Sequence, residues 1–158
     1  METTNLTELL HDLASINLER AKAYEEASLQ NQLYDVELRT TFALLANQSR
    51  QNNYMLNVQL EKLLAKNSGI RPAYGPLYNQ WKNDIGYFKG DNRNALLDSC
   101  EAGETLIAGI YEKVLENPVR SEMREFLQNQ LRGIQSSLST VKKIRDLGGT
   151  TKTFGNRY

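Results

Sequence analysis

The chain has 158 residues, a length that suits one domain in which folding buries about two-thirds of the surface of the unfolded chain. Nineteen lysines and arginines balance nineteen aspartates and glutamates, so there is no basic field that would attract nucleic acid or anionic membranes. The first residues, METTNLTELLHDLAS, lack the pattern of a signal peptide, and no apolar run is long enough to span a bilayer. We therefore expect a cytoplasmic protein that binds neither nucleic acid nor membrane.

Apolar residues recur every three or four positions, and only three prolines interrupt them, which predicts an all-α fold. Tyr24 and Tyr111 belong to these apolar stripes. Four long helices are predicted, at residues 6–29, 35–69, 91–116 and 118–146. A short helix is predicted at residues 77–88, between the second and third long helices. Asp35 and Asp91 are the predicted N-caps, and Gly69 the predicted end of the second helix. We expect one domain over residues 1–147 and a flexible tail over residues 148–158.

The lengths of the connections predict how the helices are arranged. Short connections make the first two long helices one antiparallel hairpin and the last two another, whereas the connection between the hairpins is long enough to cross the bundle. This order is the plan of a ferritin-like antiparallel four-helix bundle, with the short helix in the crossover.

Each apolar stripe is interrupted near its middle by a polar residue, and antiparallel packing would bring these interruptions to one height. The predicted buried polar layer consists of Arg20, Ser49, Asn52, Glu104 and Gln130. A structural interpretation pairs Arg20 with Glu104, while Asn52 and Gln130 supply further hydrogen bonds. The alternatives are a metal or small-ligand site formed by Glu19, Glu101 and Glu104, or stripes assigned one residue out of phase.

Histidine is too scarce for a di-metal site of the ferritin type, which uses two Glu-x-x-His motifs. The single histidine, His11, follows Glu8 by three residues but lies off the apolar stripe, near the start of the first helix. We expect it to lie on the surface. No cofactor is expected.

Small residues in the third long helix indicate close packing. Gly103 costs helix stability, so we expect a neighbouring helix or a bulky aromatic side chain to approach it. Cys100, the only cysteine, excludes an internal disulfide, and we expect a small buried residue rather than a reactive thiol. The aromatic segment YGPLYNQWKNDIGYF is predicted to cover the open side of the bundle, the alternative being a surface on which a ligand stacks.

Several motifs carry a resemblance to a known family. The spacing of Trp81, Phe88, Gly90 and Asp91, followed by LLDSCEAGE, IYEKVL, FLQNQL and VKKIRDL, resembles the bacterial ferritin-like family known as domain of unknown function 2383. The likeness extends from LTELLHDLAS to Leu147, and CEAGE at residues 100–104 is its most specific element.

The resemblance implies a ferritin-like four-helix fold and a family without an established activity. Tyr78 and Leu138 stand at or near positions where the family commonly has histidine, so no catalytic residues are carried over. We expect a non-catalytic bundle that self-associates as a homo-oligomer or binds a protein partner, with a link to stress as in several ferritin-like relatives. The alternative is a carboxylate-ligated metal protein that acts in oxidoreduction or metal sequestration.

Overall fold

The structure, a computed structural model, describes the backbone of residues 3–30, 36–66 and 70–155, and the side chains of residues 6–30, 36–66 and 70–147. This part of the chain contains five helices and no strand, which confirms the all-α prediction. The helices are α1 (Thr3–Ser28), α2 (Val36–Lys66), α3 (Pro76–Asp84), α4 (Arg93–Leu115) and α5 (Ser121–Gly155).

Side-chain contacts give the direction of α2 relative to α1. Asn53 on α2 donates to the carbonyl of Ala14 at 2.7 Å, whereas Ser49, one turn earlier on α2, lies beside Arg20, further along α1. Since residue numbers rise along one helix as they fall along the other, the two helices are antiparallel.

The second pair of long helices is also antiparallel. Arg93 at the start of α4 donates to the carbonyl of Ile144 in the C-terminal half of α5, and Arg124 at the start of α5 donates to the carbonyl of Leu115 at the end of α4. Because α4 also runs antiparallel to α1, through the pairs Asn17–Tyr111 and Arg20–Glu104, α2 and α4 point in the same direction. The chain between α2 and α4 therefore connects opposite ends of the molecule.

The short helix α3 is held against α1 by Asp12. The carboxylate of Asp12 accepts the backbone N–H of Gly75 at 2.8 Å and of Tyr78 at 3.3 Å, at the N-terminus of α3. The N-cap residue of α3 is Gly75, which has no side chain that could accept these bonds. Asp12 therefore satisfies the free N–H groups that the start of a helix exposes. Pro76, in the first turn, fits a position that needs no N–H.

Aromatic side chains of the connection lie against Gly103. Trp81 of α3 and Phe88, after α3, are fully buried, and a β-carbon built on Gly103 would lie 2.5 Å from Phe88 and 3.5 Å from Trp81. Gly103 therefore admits an aromatic ring, one of the two approaches expected for it. Tyr74 and Tyr87 are exposed, so only part of the aromatic segment enters the core.

Two helix boundaries, the end of α3 and the start of α4, differ from the prediction. α3 ends at Asp84, not residue 88, and Gly86 then takes the positive φ of 71° that turns the chain toward Phe88. Asn92, not Asp91, caps α4, since its side chain accepts the N–H of Ala95.

The predicted tail, the predicted cap of the second helix and its predicted end lie partly or wholly outside the described residues. α5 continues to Gly155, so residues 148–155 of the predicted tail are helical, and residues 156–158 lie outside the described part. The predicted cap Asp35 and the predicted helix end Gly69 lie outside it too.

Replacing Gly103 with alanine should lower the free energy of unfolding by about 1–3 kcal/mol, because the new methyl group overlaps the buried ring of Phe88. Gly109→Ala on the same helix is the matched control, since its β-carbon would meet no atom within 4 Å. That variant should gain up to about 1 kcal/mol from helix propensity. Urea unfolding followed by circular dichroism measures both, and equal effects would contradict the packing role.

Candidate functional site: a buried polar layer

Arg20 on α1 and Glu104 on α4 form an ion pair in which both side chains are completely buried. The Nε of Arg20 donates to both carboxylate oxygens, at 3.2 and 3.0 Å, and its Nη2 donates to Oε1 at 2.7 Å. This is the pair that the structural interpretation predicts. Because an unpaired charge in the core would be very costly, the pair ties α1 and α4 together at one height.

The guanidinium of Arg20 also forms hydrogen bonds with two side chains of α2. Nη1 of Arg20 donates to Ser49 at 2.8 Å, and Nη2 donates to Gln48 at 2.8 Å. On the other side of the pair, the hydroxyl of Tyr24 donates to Oε1 of Glu104 at 2.5 Å. The carboxylate is thus surrounded by protein donors.

Gln48 carries the network onward to α5. Its side-chain oxygen also accepts the hydroxyl of Ser137 at 3.0 Å, and its nitrogen donates to the carbonyl of Gly133 at 3.1 Å. A buried charge on α1 is therefore connected to all three other long helices.

A second tier of hydrogen bonds lies one turn of α1 before Arg20. Asn17 donates to the hydroxyl of Tyr111 at 3.0 Å and accepts from Asn52 at 3.2 Å. Tyr111 donates to Gln130 at 2.7 Å, and Gln130 donates to the backbone carbonyl of Asn52 at 3.3 Å. This tier also joins all four long helices, and the predicted residues Asn52 and Gln130 lie here rather than beside Arg20.

Burial shifts the titration of the groups around the pair. Burial alone would lower the pKa of Arg20, but the charge and hydrogen bonds of Glu104, together with Tyr24 and Tyr111, outweigh burial, and the pKa is raised. Burial and then the Glu104 charge raise the pKa of Tyr24 and of Cys100 well above their ordinary values. Tyr24 therefore donates as a neutral phenol, and Cys100 is a buried, protonated thiol, as predicted.

The other two candidate metal ligands have partners of their own. Glu19 is partly buried, accepts the hydroxyl of Tyr78 at 3.0 Å, and lies 3.8 Å from the ammonium of Lys82. Burial, followed by the bond to Glu19, raises the pKa of Tyr78 to about 12. Glu101 lies 2.7 Å from Arg145 and connects α4 to α5 outside the core.

The arrangement does not fit a metal site at the centre of the bundle. Within the described residues, no group of three or more His, Cys, Asp or Glu side chains is placed to hold a metal ion. The guanidinium of Arg20 contacts both carboxylate oxygens of Glu104, so the carboxylate already has a cationic partner. Glu104 instead acts as the counter-ion of a permanent positive charge.

Five polar residues of the layer are additional to those predicted from the sequence: Asn17, Tyr24, Gln48, Tyr111 and Ser137. The signal for three of them was helical spacing. Asn17 and Tyr24 lie three residues before and four after Arg20, and Tyr111 lies seven after Glu104, so they share a face with a buried charge. Both tyrosines were assigned to apolar stripes, which is true of their rings but not of their hydroxyls.

His11 is buried, which corrects the prediction that it lies on the surface. Its ring stacks on Tyr74, with centroids 5.5 Å apart, and its Nδ1 has no hydrogen-bond partner in the described structure. Burial lowers its pKa below the ordinary value of 6.5; Asp12 opposes this shift, and Arg71 adds to it. The prediction failed because residues 71–78 cover this part of α1, far from it in sequence.

A cleft of about 490 Å³ opens at the end of the molecule where α1 and α5 begin and α2 ends. Apolar residues such as Leu63, Met123 and Phe126 line it together with Lys62 and Arg120. It shares no residue with the polar layer.

A scan against protein-family models gave no match, and searches of curated proteins and of solved structures gave no significant match. The resemblance to the ferritin-like family therefore stays a prediction. None of the helices in the described ranges combines the length and hydropathy needed to cross a bilayer.

Truncating Glu104 to alanine should cost about 3–5 kcal/mol of unfolding free energy, because it leaves a buried guanidinium without its counter-ion. Glu25→Ala is the control: it breaks the exposed Arg50–Glu25 pair and should cost less than about 1 kcal/mol. Arg20→Met combined with Glu104→Leu should recover much of the loss, since it removes both charges. Urea unfolding measures all three, and equal losses for Glu104→Ala and Glu25→Ala would refute this account.

Acidification should destabilise the protein through His11. Its pKa is lower in the folded state, so the unfolded chain binds more protons below pH 6.5, and the unfolding free energy falls until the pH drops below the folded pKa. His11→Gln should lack this component as the pH falls through 6.5. The difference between the two unfolding curves isolates the effect, because the chain has one histidine. If the unfolding free energies of the two proteins changed in parallel with pH, His11 would not be the source of the acid destabilisation.

Proposed function

We propose that this protein is a non-catalytic, ferritin-like four-helix bundle whose role is self-association or the binding of a protein partner. Two antiparallel hairpins, joined by a connection that contains α3, support the ferritin-like plan. The resemblance to domain of unknown function 2383, with its link to stress, is part of the same proposal.

The observation that carries the proposal is the closed bonding of Glu104. Its carboxylate accepts three bonds from Arg20 and one from Tyr24, and Cys100 beside it is buried and protonated. A nucleophile or general base must reach a substrate, and a metal ligand needs a free lone pair facing the ion. Here Oε1 of Glu104 accepts three bonds and Oε2 accepts one, and the carboxylate is completely buried, so its polar contacts serve the packing of the helices.

The surface supports a role in association. Ten large hydrophobic side chains are exposed in the described part of the chain, and five of them lie on the single helix α2. The formal net charge is zero, so little long-range repulsion opposes the approach of a second copy.

Metal analysis tests the proposal. The chain, purified from iron- and manganese-supplemented cells without chelator, should contain far less than one metal ion per chain, and added Mn²⁺ or Fe²⁺ should not raise its melting temperature. Near-stoichiometric metal that disappears in Glu104→Gln but persists in the control Glu25→Gln would overturn it. Because Glu104→Gln also leaves the buried guanidinium of Arg20 without its counter-ion, circular dichroism of the variant must show native helix content before loss of metal is assigned to loss of a ligand.

A further inference from the structure

One face of α2 is exposed and uncharged over about five turns. It carries six residues at alternating spacings of four and three: Thr40, Leu44, Asn47, Gln51, Tyr54 and Val58. All six are exposed, and the exposed fractions of Leu44 and Tyr54 are 63% and 68%. This spacing is that of the a and d positions through which two helices pack side by side.

The face is self-complementary when two copies run antiparallel. Alignment about Ser49 places Leu44 against Tyr54 of the second copy, and Thr40 against Val58. Asn47 then meets Gln51, so that amide faces amide at the centre while apolar side chains meet on either side. A two-fold axis repeats each pairing, as in an isologous interface.

The charges at the ends of the face favour the same arrangement. Glu37 lies at one end and Lys62 at the other, and neither forms an ion pair within the described structure. Antiparallel alignment brings Lys62 of one copy within one residue of the level of Glu37 in the second, while Glu61, which falls opposite Glu37, is already paired with Arg71 of its own chain. Parallel alignment would instead bring like charges together at both ends.

We propose that this face of α2 is a homodimer interface in which two copies of the chain pack antiparallel about a two-fold axis at the level of Ser49. The inference rests on the proposed function in one respect: it names the partner in self-association as a second copy. It does not depend on whether the polar layer binds metal.

Disulfide trapping tests the geometry. Thr40→Cys combined with Val58→Cys should give covalent dimers under mild oxidation, because residue 40 of one copy lies opposite residue 58 of the second. Each single variant should stay monomeric on a non-reducing gel, since equivalent residues would lie about 27 Å apart along the helices. Cross-linking by either single variant would show a parallel pairing and overturn the proposal. Cys100 is buried, so the background is low.

Sedimentation tests the interface itself. The wild-type chain should be dimeric at about 100 μM, and Leu44→Lys combined with Tyr54→Lys should weaken association by about 100-fold or more while leaving helix content unchanged, because both positions are exposed. Gln135→Lys, at an exposed position on α5, is the matched control and should remain dimeric. A monomeric wild-type chain, or a dimer that survives the double substitution, would overturn the proposal.

The two proposals fail separately. A metal-free chain whose dimer survives the double substitution refutes the α2 interface alone. A chain that dimerises through α2 and also holds stoichiometric metal at Glu104 refutes the proposed function alone.

Discussion

The buried pair of Arg20 and Glu104 is the constraint on which the arrangement of the helices depends. Removing two charges from water costs more than their attraction usually returns, so the pair is tolerable only if nearly every donor and acceptor is bonded. Here the partners come from α1, α2, α4 and α5, directly or through Gln48. A shift of any long helix by one turn would break part of this network, whereas apolar contacts could adjust to it.

The connection between α2 and α4 is closely packed, and its aromatic side chains cover the buried ion pair. α3 is too short to be stable by itself, and Asp12 caps it from α1. Trp81 and Phe88 then fill the space that Gly103 leaves beside the ion pair, and Phe88 also packs on Tyr24, the donor to Glu104. The aromatic cover helps to exclude water from the charges, which keeps their interaction strong.

This architecture has consequences for function. At the centre of the helix packing, a guanidinium neutralises the carboxylate of Glu104, so the buried polar residues fix the register of the helices. The groups that could bind a partner lie on the surface, where five of the exposed large hydrophobic side chains belong to α2. The uncharged face of α2 matches itself under two-fold symmetry, and this self-complementarity favours a second copy as the partner.

Sequence periodicity was enough to predict the helical class, the approximate length of each helix and five members of the polar layer, because a buried face leaves a repeat of 3.6 residues in any helix. It also led to the Arg20–Glu104 pair, since a charge on a core-facing stripe needs an opposite charge. It could not place His11, Asp12 or the hydroxyls of Tyr24 and Tyr111, whose partners lie on other elements.

The sequence by itself therefore determined the apolar stripe of each long helix, and that polar groups interrupt the core. Only the tertiary structure decided which polar groups meet, that Glu101 pairs with Arg145 outside the core, and that Phe88 enters the space at Gly103. The physical reason is that periodicity records how each helix is oriented toward the core, whereas hydrogen bonds and close packing depend on the heights at which different helices come together.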